Sequence, residues 1–431
     1  MDVECPKCGA LHWKSECVSN NCEKFGMCCF SGKVKLPYLH PPPPLLPSLL
    51  GSDQDVLNPI RRTPDMNKAT NSFQSLIRRY NSAFAFASVG VRVDETVTGA
   101  PGGPYSFRIQ GQLSHRMGSL LPTDRPPVYA QLYFHDTDAA TTFRQEGNRG
   151  ADVVVLADLH AMLLEHNTFV TIYCSAHDIL AQQQRIHGVA NPTVTCRLIL
   201  DANADQHRYN RPTANEVAAI IPNSGDGVDS SRDIVLHLQA GGLRRISEIN
   251  AAYFPLAYPL LFPYGEPGWH PGLKLDLPAA GAANDNDELE EGGGDNNGGK
   301  RTRLTQSRWG AFRIHQRKIR LPNGQRGNEP TTILCAGRLF QQFLVDLWAS
   351  CQQNNMRWIR ENQTKLRSKL YSGLADAQQN GEDAASIGQC VILPSSVVGS
   401  PHFMLQIYQD SMALTRFFGH CDYFITVTAN P

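Results

Sequence analysis

The sequence predicts an α+β protein with a small metal-binding head, and three observations point there. Six of the twelve cysteines fall in the first thirty residues. Segments that alternate apolar and polar residues intermix with segments of helical apolar spacing, and a Gly-, Asn- and acid-rich tract precedes an abruptly basic stretch. At 431 residues the chain is long enough for about two to four domains.

Charge and hydropathy narrow the function classes. Forty basic residues balance forty acidic ones, which argues against a protein that coats DNA by bulk charge, so local clustering has to carry any phosphate contact. No run approaches the roughly 18 uninterrupted apolar residues of a membrane-spanning helix, and MDVECPKCGALHW lacks a basic and apolar leader pattern. A soluble chain in an intracellular, reducing compartment, nucleus or cytoplasm, is expected. There the clustered cysteines read as one metal site rather than as disulfides.

Five segments follow in order. Residues 1–36 form the cysteine-rich head, and 37–71 a spacer in which Pro41 to Pro44 favour extended polyproline backbone. Residues 72–276 read as an α+β domain. In it, FQSLIRRYNSAFAFAS is helical into a short apolar stretch; YSFRIQGQLSH, VYAQLYFHD and SRDIVLHLQ alternate like strands; and RPTANEVAAII, with Pro212 early, starts like a helix. Residues 277–299, LPAAGAANDNDELEEGGGDNNGG, carry too few bulky apolar side chains to offset the entropy of ordering, so a disordered linker is expected. Residues 300–431 open with KRTRLTQSRWGAFRIHQRKIRLPNGQR, which has no acidic residue, and continue through GRLFQQFLVDLWASCQQNNMRWIRENQTKLRSKLYSGLADA, read as two helices.

In the head, Cys5 and Cys8 form a CxxC, followed by His12, Cys17, Cys22 and the adjacent pair Cys28 and Cys29. Two thiolates on one tight turn take neighbouring corners of a tetrahedron, and a distant pair closes it, which is the chemistry of structural zinc. Because the side chains of adjacent cysteines can diverge, Cys22, Cys17 or His12 remains open as a replacement for one member. Free structural thiols are the simpler reading.

Long runs in this sequence carry a family resemblance. CPKCGALHW, CCFSGKVKLP, DQHRYNRPTANEVAAII, ISEINAAYFPLAYPLLFPYGEPGWH, GRLFQQFLVDLW, RWIRENQTKLRSKLYSGLADA, VILPSSVVGSPHFMLQIYQDSMAL and CDYFITVTANP resemble, in that order, the N-terminal region of Helitron helicase-like proteins. That resemblance selects Cys5, Cys8, Cys28 and Cys29 as the ligand set. It implies a helical segment leading into FITVTANP, the first strand of an incomplete Rep-type nuclease domain, with the histidine pair and nucleophilic tyrosine expected downstream. It also implies a DNA partner, expected to be single-stranded.

Concentrated positive charge occurs in Lys300–Arg326 and around Arg357, Arg360, Lys365, Arg367 and Lys369, where Trp358 and Tyr371 offer stacking surfaces. A solvated helix face is the plainer reading of the pattern; the resemblance turns it toward DNA. His115, His135, His160, His166 and His177 form no HxH or HExxH spacing and read as ordinary polar or partly buried residues. Asp136, at the end of QLYFHD, is equally compatible with a turn, and PSSVVGSP reads as a turn without a nucleophile elbow. No GxxxxGK[ST] loop for ATP occurs, and no catalytic residue is assigned. The expectation is a DNA-binding region inactive on its own in strand cleavage and ATP hydrolysis; the alternative is a transposon remnant or domesticated protein-interaction module.

Overall fold

The structure is a computed structural model that describes residues 3–18, 25–51, 64–93, 109–117, 127, 129–134, 137–174, 195–200, 218–222, 234–237, 244–276, 302–320, 324, 326–363, 393–395, 397 and 399–419. It divides into two compact units, one of Met1–Arg92, Gly111–Gly281 and Lys300–Ser350, the other of Val93–Gln110, Ala282–Gly299 and Cys351–Pro431.

The first unit begins with a minimal hairpin, β1 (Val3–Glu4) and β2 (Leu11–His12), in register Val3 opposite His12. Residues 37–43 of the proline spacer form neither helix nor strand. LLPSLL then forms helix α1 (Leu45–Leu50), because Leu46, Leu49 and Leu50 share a buried face and Gly51, at φ 64°, ends the turn. Pro47 is tolerated there, since a residue in the first helical turn needs no intrahelical N–H partner.

Helix α2 (Pro64–Phe84) buries Phe73, Ile77, Tyr80 and Phe84 at helical spacing, as FQSLIRRYNSAF predicts. Strands β3 (Ser88–Val93) and β4 (Ile109–Met117) follow, and β4 matches the alternation of YSFRIQGQLSH. The strand expected in VYAQLYFHD is instead a 3₁₀ helix, Tyr129–Phe134. Consecutive Leu132 and Tyr133 are both buried, which a two-faced strand does not allow; the Tyr133 ring stacks on Phe86 and its hydroxyl donates to the Phe84 carbonyl at 2.7 Å. Helices α3 (Thr137–Gly147) and α4 (Val153–His166) pack together, α4 being capped by Asp152, whose Oδ1 accepts from Val154 and Val155 N–H.

Strands β5 (Thr195–Leu200), β6 (Ala218–Pro222) and β7 (Ile234–His237) form an antiparallel sheet of order β6-β5-β7. The helix start expected in RPTANEVAAII is corrected over its described part: Ala218–Pro222 pairs with β5, Ile220 opposite Leu198. Backbone pairing with β5 overrides the weak helix pattern there. Strand β8 (Arg244–Ile246) joins β4, in a sheet of order β3-β4-β8.

The centre of the unit is INAAYFPLAYPLLF. It contains the short helix α5 (Tyr253–Ala257), and Tyr253, Phe254, Leu256, Tyr258, Leu260, Leu261 and Phe262 are all buried. Helix α6 (Gln306–Arg313) supplies Trp309, stacked on Phe254 at 5.6 Å. The hairpin β9 (Lys318–Arg320) and β10 (Arg326–Asn328), then α7 (Thr332–Cys335), lead to α8 (Arg338–Glu361). Phe343 on α8 meets Phe254, Tyr258 and Phe262 edge-on. The first expected helix of GRLFQQFLVDLW is thus present; most of the second falls on 364–392, outside the described residues.

In the second unit α9 (Pro401–Phe418) is capped by Ser400, whose Oγ accepts from Phe403 N–H after the turn that PSSVVGSP predicts. FITVTANP and the acidic tract lie outside the described residues. Among the described residues no single helix is long and apolar enough to cross a membrane.

Candidate metal centre

Two tight turns face each other in the head. The first runs from Cys5 to Ala10, closed by Gly9 N–H to Cys5 O and Cys5 N–H to Ala10 O, both 2.8 Å. The second carries Cys28 and Cys29 and is closed by Val34 N–H to Cys29 O at 2.9 Å. Phe30 and Ser31, at φ 48° and 53°, make the chain double back immediately after the cysteine pair.

The result is convergence of the sulfurs of Cys5, Cys8, Cys28 and Cys29, all within 4.8 Å of one another. Cys5 to Cys29 and Cys28 to Cys29 are both 3.8 Å apart. A tetrahedron with metal–sulfur bonds of about 2.3 Å has edges of about 3.8 Å, so the donor set fits a tetrahedral thiophilic ion in type and size. The neighbouring cysteines do not diverge. Their shared turn also brings Gly32 N–H to Cys29 Sγ at 3.3 Å, the kind of backbone contact that stabilises a thiolate.

The four thiols share charge unequally. Hydrogen bonds from Cys28 and then Cys29 bring Cys8 down to about 7 and hold Cys5 below the ordinary thiol range. Cys28 is pushed up by Cys29, Cys5 and Cys8. A cation among them removes this competition by favouring every thiolate at once.

His12, an open alternative in the sequence, stands outside the set. Its ring stacks on Phe25 at 4.2 Å, and Nδ1 lies 2.7 Å from Glu16 Oε2. Cys17 is half-buried with a partner of its own, and Cys22 lies outside the described residues.

The head is seated by the segment that leads into β9, about 310 positions further along the chain. Lys318 N–H donates to Gly9 O and Leu11 N–H to Gln316 O, each at 2.8 Å, and Ala10 bridges Arg317. Gly9 has φ +71°, and a Cβ there would fall 2.3 Å from Lys318 O. Arg317 is buried, its guanidinium 3.7 Å from the Phe312 ring centroid, with bonds to His315 O at 2.9 Å and to Cys28 O at 3.4 Å. Its charge is balanced by buried Glu329 at 3.5 Å.

Of the basic residues named from sequence, Arg360 is exposed and Arg357 half-buried on α8, beside half-buried Trp358. Lys365, Arg367, Lys369 and Tyr371 lie outside the described residues, as do His135, Asp136 and His177. His115 and His160 are buried and His166 is half-buried, none in a metal-sized cluster. Sequence reasoning missed Arg317 and Glu329; only the basic run around Arg317 hinted at either.

Fold and site together define an α+β protein with a four-cysteine cluster of metal-binding dimensions, docked on a basic hairpin. Residues 315–431 match the family described as the Helitron helicase-like domain at the N-terminus, so this part of the chain is a Helitron helicase-like N-terminal region. No curated protein matches the sequence.

Proposed function

We propose that this chain is a nucleic-acid-binding region of a Helitron replication initiator, with a structural zinc ion held by Cys5, Cys8, Cys28 and Cys29. The observation that carries the reading is the junction between head and matched region: the four-cysteine turns are hydrogen-bonded to residues 316–318, at the start of the Helitron-like match. A cation bound by four thiolates supplies electrostatic closure of the two turns and no reaction chemistry. The family supports DNA as the partner. Arg357, Arg360, Lys365, Arg367 and Lys369 are proposed as further contacts, and single-stranded DNA as the preferred form.

The test is metal analysis of the purified chain together with oligonucleotide binding at two salt concentrations. Zinc near one per chain and binding that weakens steeply with salt are expected, because each phosphate contact releases counterions. Zinc well below one per chain defeats the metal assignment. Absence of measurable binding to either single-stranded or duplex DNA defeats the nucleic-acid assignment.

A further inference from the structure

Beside the cysteine turns the head and the β9–β10 hairpin enclose a cleft of about 580 Å³. Its lining includes Lys7 from the first turn, Lys318 and Arg320 from β9, Arg326 from β10, Glu4, and Tyr38. Four cations stand against one carboxylate, and even with the two negative charges of a zinc ion on four thiolates, of which Cys5 and Cys8 line the cleft, the concavity keeps a net charge of one positive, in a chain whose total is zero. Clefts lined by one sign of charge concentrate the field and draw oppositely charged ligands.

Glu4 is bound to Arg326 at 2.7 Å, but the side chains are 36% and 65% exposed. An ion pair so exposed is worth at most about 1 kcal/mol, so an arriving anion can replace Glu4 as the partner of Arg326. Tyr38 is 47% exposed and offers an aromatic surface at the same cleft. Cations that follow a backbone, next to a ring on which a base can stack, are the elements of sequence-tolerant single-strand binding.

We infer that this cleft is a binding site for the phosphate backbone of a single-stranded nucleic acid: Lys7, Lys318 and Arg320 contact phosphates, Arg326 exchanges Glu4 for the ligand, and Tyr38 stacks a base. The inference rests on the nucleic-acid reading above and locates it on the head. Glu4 acts as a brake on the site.

The experiment uses the full chain and a fluorescein-labelled oligothymidylate, with polyglutamate as an anionic competitor lacking bases. The variant Lys7→Ala/Lys318→Ala/Arg320→Ala should lose at least about tenfold in affinity near 0.1 M salt, with the log–log salt slope shallower by about 2, as expected for three lost single-strand contacts. Tyr38→Ala should weaken binding without changing the slope. Glu4→Gln should tighten binding, and since it replaces an exposed side chain it serves even if the triple variant misfolds by circular dichroism. If the wild-type chain binds and either the folded triple variant keeps its affinity and slope or Glu4→Gln fails to tighten binding, the cleft is not the site. Competition by polyglutamate as effective as by unlabelled oligonucleotide would make it a site for acidic peptides and overturn the inference. A wild-type chain that binds no oligonucleotide refutes the nucleic-acid reading itself.

Discussion

His115 Nε2 lies 2.5 Å from Asp346 Oδ2, and both side chains are buried. The other ring nitrogen, Nδ1, is 3.0 Å from the Tyr253 carbonyl, which only accepts, so Nδ1 carries a proton. The hydroxyls of Tyr258 and Tyr253 donate to Asp346 at 2.9 and 3.3 Å, and the Tyr253 ring stacks on the imidazole at 3.8 Å. This node ties β4, α5 and α8 together inside the first unit.

Asp346→Leu should therefore destabilise the chain by roughly 3–5 kcal/mol, because it leaves a buried imidazole and two tyrosine hydroxyls without their acceptor. The double variant His115→Leu/Asp346→Leu should be more stable than the single. Urea midpoints of the three proteins check this, and a double variant no better than the single would show that the pair does not act as a unit.

Gly9→Ala should unseat the head. The substitution places Cβ 2.3 Å from a backbone oxygen of β9 at a φ of +71°, and strained positions of this kind cost about 1–3 kcal/mol. The expected readouts are a lower Tm and faster reaction of the cysteine cluster with a thiol reagent. Unchanged thiol reactivity would mean that the head holds its shape without β9.

Arg317→Met should preserve the packing on Phe312 while removing the balancing charge from Glu329, which is 4% exposed. A loss of roughly 3–5 kcal/mol is expected from one partner of a buried pair. Arg317→Met/Glu329→Gln should regain part of it. Thermal unfolding of the single and double variants decides the point.

His160 should make stability fall with acid. Burial, with Arg144 adding to it, brings its pKa down to about 4, against an ordinary value near 6.5 in the unfolded chain. The unfolded state thus binds the extra proton first. Stability is full above about pH 6.5, is lost as the pH falls toward about 4, and the loss is on the order of 3 kcal/mol. His160→Gln should flatten that part of the stability profile, measured by urea unfolding between pH 7 and 4. A profile as steep as wild type would assign the acid sensitivity to other groups.

The parts of the molecule legible in the sequence are those set by neighbours along the chain. The CxxC of Cys5 and Cys8 needs only one tight turn, and the helix carrying Phe73, Ile77 and Tyr80 announces itself by spacing. VYAQLYF misled because alternation marks two faces only when one is wet, and here Leu132 and Tyr133 are buried together. Ala218–Pro222 misled because its pairing with β5 is invisible in a local window. His115 and Asp346, 231 positions apart, could not be joined by any spacing rule. Nor could Arg317 and Cys28, 289 positions apart. The Cys28–Cys29 convergence lay between these cases: the residues were visible, but the left-handed turn at Phe30 and Ser31 that aims them was not.

The seating of the head on β9 also sets a clock. Glu4 meets Arg326 across 322 positions, and Gly9 meets Lys318 across a similar gap. At roughly 5–20 residues per second of synthesis, about 15–60 seconds separate the emergence of the cysteine turns from that of the strand that holds them. Throughout that interval the thiols are in the cell without their platform. Ion capture and seating are therefore separate events in the life of each new chain, and the nascent head meets metal, oxidant or chaperone before it meets its own hairpin.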